Sequence, residues 1–257
     1  MQFDDDLNAC AMLVEQGDPD RFRAVMAVPV ARRAVLFPIY AANVEIARAP
    51  WVTEEPLIAE MRLQWWADAL DEIAARGVVR RHEVVTPLAH VLDPEGARLL
   101  SASVEAHRAD AHREDVGEIE TLDAYLAATG GGLLWAAARA LGSSSEARTR
   151  AAGLRLARAN WCLGAASLAR RGRRPFPDMS DAAVGQVIAA WRDDRSGLET
   201  RPDRPARQAE LAAWRADGVL REAAASPGRV LDGTLGGAEA GKRFTLALRA
   251  AGIGRAV

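Results

Sequence analysis

Three groups of side chains in this sequence are spaced for chemistry. Asp68 and Glu72 stand four residues apart, and Asp110/Glu114 and Glu114/Glu118 repeat that interval. On a helix this spacing puts two carboxylates on one face, with Cβ atoms about 5–6 Å apart, close enough to share a magnesium ion. In an arginine-rich chain such pairs also serve as solvated faces bonded to guanidiniums such as Arg76 or Arg113. His107 and His112, among Asp110, Glu114 and Asp115, form the one His/acid cluster. Their five-residue interval places them on different helix faces, unlike a metal-binding His pair one turn apart. Arg170, Arg171, Arg173 and Arg174 crowd around Gly172. Four guanidiniums there can grip a diphosphate or a phospholipid head group, or complement the dipole of a helix C-terminus.

The densest aromatic stretch is YAANVEIARAPWVTEEPLIAEMRLQWWADAL, from Tyr40 to Leu70. It reads as two helices around a break at Pro50. In the second, Leu57, Ile58, Met61, Trp65, Leu70 and Ile73 recur at helical spacing and predict an apolar stripe. Neighbouring Trp65 and Trp66 point about 100° apart, so one enters a core while the other meets a neighbouring helix or a cavity wall. Gly130-Gly131-Gly132 lacks the lysine and the strand context of a phosphate loop. Within an Ala/Leu-rich helix these glycines suit close helix packing or a kink.

The elements that must hold these groups are helical. Alanine and leucine dominate the periodic stretches, and no segment sustains period-two alternation. Asp18-Pro19 and Asp93-Pro94-Glu95 mark helix starts, as do Thr53 ahead of Glu54-Glu55-Pro56, Thr121 and Ser180. Gly77, Gly142 and Gly172 mark stops. Helices are expected near 4–16, 19–27, 30–48, 54–76, 83–92, 94–115, 121–141, 146–171, 180–193, 206–225 and 240–251. Pro38 should kink or break the third. The charged stretch 192–207 reads as a long exposed loop, and the glycine-rich stretch 226–241 as a mobile one.

The bulk numbers exclude several classes. A formal net charge of −2 offers no global basic field for nucleic acid. Lys242 is the only lysine, so positive charge is almost all arginine, which suits either a GC-rich coding bias or phosphate clamping. Cys10 and Cys162 form neither a disulfide framework nor a CxxC site. A cytoplasmic location, with peripheral membrane contact as its variant, is expected: the start MQFDDDLNAC is acidic rather than signal-like. The longest near-apolar run, Ala34 to Val44, falls well short of the roughly 18 residues of a membrane span.

Four patterns in order then resemble the squalene/phytoene synthase family, most clearly over residues 21–177 of a single domain expected to occupy 1–257. An "LYAF" pattern matches Phe37-Pro38-Ile39-Tyr40-Ala41-Ala42. A W…L helix before a glycine matches Leu63-Gln64-Trp65-Trp66-Ala67-Asp68-Ala69-Leu70 through Gly77. A Y…A…G…G…L…G helix matches Tyr125, Ala128, Gly130, Gly131, Leu134 and Gly142, and a "GR…P" close matches Gly172-Arg173 and Pro177. The resemblance implies an all-α isoprenoid-synthase-like bundle around a central apolar cavity. Active members carry two aspartate-rich motifs whose magnesium ions neutralise a prenyl diphosphate leaving group.

This sequence departs from that pattern at both motifs. The first should fall near Ala47 to Trp51, which reads Ala47-Arg48-Ala49-Pro50-Trp51 with only Glu45 nearby. The second should fall before Gly172, where Asn160-Trp161-Cys162-Leu163-Gly164-Ala165-Ala166-Ser167 holds no carboxylate. NVEIAR followed by EMRLQWW resembles the divergent branch that includes a mitochondrial assembly factor for respiratory complex I and its bacterial relatives. That branch implies a non-catalytic or unassigned role, with binding or membrane-complex assembly the expected form, and with both motifs absent no cofactor is expected. The candidate contacts to an apolar or prenyl ligand are Tyr40, Asn43, Glu45, Arg48, Arg62, Trp65 and Trp66. The alternative is a prenyltransferase with a rebuilt site. There Glu45, Asp68 and Glu72 would hold magnesium, and Arg48, Arg62 or the Arg170, Arg171, Arg173 and Arg174 group would hold diphosphate.

Overall fold

The computed structural model describes residues 4–236, together with 246 and 250. All regular structure among them is helical: α1 (Asp5–Gly17), α2 (Pro19–Met26), α3 (Val30–Arg48), α4 (Pro56–Ala74), α5 (Val85–Val91), α6 (Pro94–Ala106), α7 (Arg108–Ala111), α8 (Ile119–Leu126), α9 (Gly132–Ala140), α10 (Glu146–Arg170), α11 (Asp181–Asp193), α12 (Arg204–Glu210), α13 (Ala216–Ala225) and α14 (Gly228–Asp232). Single 3₁₀ turns follow α3 and α12, and a π turn (Ala127–Gly131) joins α8 to α9. None of these helices is long and apolar enough to cross a membrane.

Caps set the register. The Asp18 carboxylate accepts from the Arg21 amide at 2.9 Å, and the Asp93 carboxylate from the Gly96 amide at 2.8 Å. Each stands just before a proline that lacks the amide hydrogen the first turn could not use. Gly142 and Gly172 end their helices at φ +88° and +78°, a conformation that costs glycine least. The long helix α10 runs through the body of the bundle and packs against the π turn, α9, α13 and α14. Helix α3 packs on α1, α5 and α9, while α4 lies on α6.

Helix α10 reaches α9 and the π turn through glycine. The Gly153 Cα position is so close to Gly131 that an added Cβ would lie 2.8 Å from its Cα, with the Gly130 carbonyl closer still. These obstacles are backbone, so Gly153→Ala is expected to destabilise the protein by about 1–3 kcal/mol, read by urea denaturation. The glycine run thus serves close packing, with a π turn rather than a sharp kink.

Several sequence expectations are corrected. Helix α3 continues through buried Pro38 without breaking. The expected helices at 94–115, 121–141 and 206–225 are each divided, by a turn at His107, by the π turn, and by the segment 211–215. Thr53 does not cap α4; its hydroxyl accepts from the Glu55 amide in a tight turn, and the helix begins at Pro56. The buried face of α4 is Ala59, Leu63, Trp66, Leu70 and Ile73. Leu57 and Met61 of the expected stripe are 72% and 65% exposed, because the small Ala59 rather than a large residue sets the inward face. The stretch expected to be a mobile loop at 226–241 contains α14, and its residues 237–241 lie outside the described residues, as does most of the expected helix at 240–251.

The charged stretch after α11 is exposed in its side chains but not free in its backbone. Three buried arginines on α10 hold it. Arg155 donates to the carbonyls of Trp191, Arg192 and Asp194 at 3.0–3.1 Å. Arg158 pairs with Asp194 at 2.7 Å and with Asp123 of α8 at 3.0 Å. Arg148 donates to the carbonyls of Leu198 and Thr200 and pairs with Glu210 of α12. Much of the arginine in this chain is therefore structural.

Candidate functional site

A cavity of about 500 Å³ opens between α3, the His107 turn, the π turn and α10. One stripe of α3 supplies Tyr40, Asn43 and Ala47, and Trp51 extends it past the helix end. One stripe of α10 faces it with Asn160, Gly164, Ser167, Leu168 and Arg171. Both follow the 3.6-residue period of a helix that turns one face to a common space. Leu126, Leu133, Leu134 and Leu156 make the apolar wall.

The polar chemistry at the mouth is cationic and aromatic. Three guanidiniums surround the Trp51 ring, with Arg113, Arg171 and Arg173 at 4.6, 5.0 and 5.9 Å from its centroid. Such contacts are worth about 0.5–2 kcal/mol each, more when desolvated. Across the cavity, a Cβ at Gly164 would meet nothing within 4 Å. The two stretches where carboxylates were expected do line the cavity, but through Ala47 and Trp51 in the first and Asn160, Trp161, Gly164 and Ser167 in the second. Among the described residues, no three His, Cys, Asp or Glu side chains converge as a metal site.

One wall carries a buried polar network that local sequence gave no means of assembling. His107 Nδ1 lies 2.9 Å from Asp110 Oδ2, and the Tyr125 hydroxyl donates to the same oxygen at 2.8 Å. Arg173 Nη1 lies 3.5 Å from Asp110 Oδ1. Asp110 and His107 are 5% and 6% exposed. Burial alone would raise the Asp110 carboxyl; the His107 and Tyr125 hydrogen bonds and the nearby positive charge outweigh it and hold the group low. Burial, then the Asp110 charge, pushes the Tyr125 phenol well up. Asp110 is therefore no solvated carboxylate bonded to Arg76 or Arg113, and it does not pair with exposed Glu114. His112 turns away to Glu60, at 3.1 Å.

The family model for squalene/phytoene synthase matches residues 14–226. The chain belongs to the squalene/phytoene synthase family. Its fold is that of a dehydrosqualene synthase solved with ligand, with a TM-score of 0.74 at 13% identity over 96% of this chain and 95% of that one. It is likewise similar to squalene synthase HpnC from Alicyclobacillus acidocaldarius, with a TM-score of 0.64 at 17% identity over 85% and 92% of the two chains. A stretch of 97 residues is 32% identical to a Drosophila melanogaster protein described as a homolog of NADH dehydrogenase (ubiquinone) complex I assembly factor 6. That match covers 36% of this chain and 28% of the relative's length.

Within this squalene/phytoene synthase fold, the expected contacts divide between two places. Tyr40 and Asn43 line the central cavity. Glu45, Arg48, Arg62, Trp65 and Trp66 do not; with His82 they line a separate crevice of about 230 Å³. Glu45 lies two residues from Asn43, about 200° around α3, so the two cannot face one space. Trp65 and Trp66 meet edge to face at 5.2 Å, with Arg80 5.0 Å over Trp65. Asp68 is exposed and accepts from Gln64 at 2.8 Å. Glu72 is gripped by Arg80 at 2.6 Å, whose hydrogen bonds hold its carboxyl low. Neither carboxylate lines the central cavity. The arginine cluster also splits: Arg171 and Arg173 meet Trp51, Arg170 is exposed, and Arg174 donates to the Pro177 carbonyl at 2.7 Å. Sequence reasoning missed Arg21, Trp51 and Tyr125 as cavity residues.

Proposed function

We propose that this chain is a non-catalytic member of its family, a binding or assembly protein whose central cavity holds an apolar ligand without magnesium. One observation carries the reading: the two stretches where the family's aspartates were expected line the cavity with Ala47 and Trp51 and with Asn160, Trp161, Gly164 and Ser167. A diphosphate leaves only when its charge is neutralised, and these side chains bring no carboxylate to a metal. Three arginines around Trp51 stabilise the mouth instead. The partial match to a complex I assembly factor homolog supports a membrane-protein complex as the partner. A cytoplasmic protein that meets a membrane surface at its periphery is consistent with that partner.

The test is turnover. The chain, incubated with farnesyl or geranylgeranyl diphosphate, magnesium and a nicotinamide reductant, is expected to release no pyrophosphate above the protein-free rate. Sustained release that scales with protein concentration would overturn the reading.

A further inference from the structure

We infer that the central cavity takes an uncharged apolar molecule bearing one oxygen acceptor, a hydroxyl or a carbonyl, and that Tyr40 is its anchor. This rests on the non-catalytic reading of the cavity and names the ligand class it would hold.

Tyr40 is 1% exposed and lines the cavity, yet its hydroxyl has no hydrogen-bond partner in the described chain. A buried hydroxyl left unpaired costs free energy, which is why nearly all are paired. A ligand that supplies an acceptor removes that cost. Burial pushes the Tyr40 phenol up to about 12, so at neutral pH it keeps its proton and can donate.

The charge around it argues for a neutral partner. The Arg21 guanidinium stacks over the Tyr40 ring at 5.1 Å, and Asp18 lies 3.4 Å from it. That pair already balances its own charge. Elsewhere in the cavity lining, Asp110 is balanced by Arg173. A diphosphate brought to Tyr40 without a metal would sit beside the Asp18 carboxylate, and Arg21, the guanidinium over the Tyr40 ring, is already paired with that carboxylate; a buried unpaired charge is strongly unfavourable. A single neutral oxygen meets no such cost. The rest of the molecule would lie against Leu126, Leu133, Leu134 and Leu156. The cavity, at about 500 Å³, falls in the range of ordinary small-molecule sites, roughly 300–1,000 Å³.

Three probes of one carbon skeleton separate the possibilities: farnesol, farnesyl diphosphate, and the saturated hydrocarbon farnesane, each in EDTA. Binding to the full chain is followed by the fluorescence of Trp51 and Trp161, which line the cavity. Farnesol is expected to bind most tightly. Tyr40→Phe is expected to weaken farnesol roughly tenfold, the worth of one neutral hydrogen bond, while leaving farnesane unchanged. Its melting temperature should not fall, because the hydroxyl has no partner to lose. Gly164→Phe, which projects a ring into open space, should abolish binding of every probe. The inference is overturned by equal farnesol affinity in Tyr40→Phe, by diphosphate binding more tightly than the alcohol without metal, by binding that survives Gly164→Phe, or by no binding of farnesol at all. Because EDTA removes magnesium, none of these results depends on turnover. Pyrophosphate release in the magnesium assay would defeat the non-catalytic reading separately.

Discussion

Glu210→Leu is expected to destabilise the fold by about 3–5 kcal/mol. Glu210 is fully buried, and Arg148 is 7% exposed. The guanidinium meets the carboxylate with two hydrogen bonds, Nε to Oε1 at 3.3 Å and Nη2 to Oε2 at 3.2 Å. Burial pushes the Glu210 carboxyl up against the pull of Arg148, so the pair stands where a lone charge is poorly tolerated. Leucine fills much the same space but leaves Arg148 with only the carbonyls of Leu198 and Thr200. Breaking one side of a buried pair costs far more than the pair itself contributes. The double variant Arg148→Met/Glu210→Leu should therefore recover most of the loss. Urea denaturation of the three chains measures both terms. A single-variant cost below about 1 kcal/mol, the scale of an exposed pair, would mean that this contact does not anchor α12 to α10.

The second large effect is a gain. A chain carrying Ala47→Asp, Trp51→Asp, Gly164→Asp and Leu168→Asp is expected to acquire magnesium-dependent binding of farnesyl diphosphate. Each pair is four residues apart along one cavity wall, so each restores two carboxylates to one face. Removing the Trp51 ring also uncovers Arg171, which lines the cavity, while Arg113 and Arg173 stay held by the Thr53 and Glu114 carbonyls. With ligand at a hundred times Kd, the native state gains about 2.7 kcal/mol. For a chain of this size that is a rise of roughly 5–10 °C in melting temperature. A folded variant that melts at the same temperature with and without magnesium would show that more than four side chains separates this cavity from a diphosphate site.

Much of the fold was legible because its signals are local. Asp18-Pro19 and Asp93-Pro94 start helices where the cap geometry demands, and α3 has the bounds that its periodicity set. The cavity face was legible in part. Tyr40 and Asn43 line it, but Glu45 and Arg48 were grouped with them by nearness in sequence rather than by angle around the helix. The α4 register failed for a related reason: Ala59 carries little hydrophobic signal, yet it is the residue that packs inward. Of the Asp110 network, the nearness of His107 was legible and the other two partners were not. Tyr125 is 15 residues from Asp110, and Arg173 lies farther still along the chain. The three meet only because α7, α8 and the end of α10 converge at one corner of the cavity. The buried arginines of α10 were hidden likewise, since nothing beside Arg148, Arg155 or Arg158 distinguishes them from a solvated charge.

We propose that the cavity has the family's shape without its magnesium–diphosphate chemistry. Thermal unfolding of the unmodified chain with a large excess of farnesyl diphosphate, with and without added magnesium, tests it most directly. The melting temperature is expected to be the same in both conditions. A clear magnesium-dependent rise, which only ligation in the native state can produce, would contradict the account.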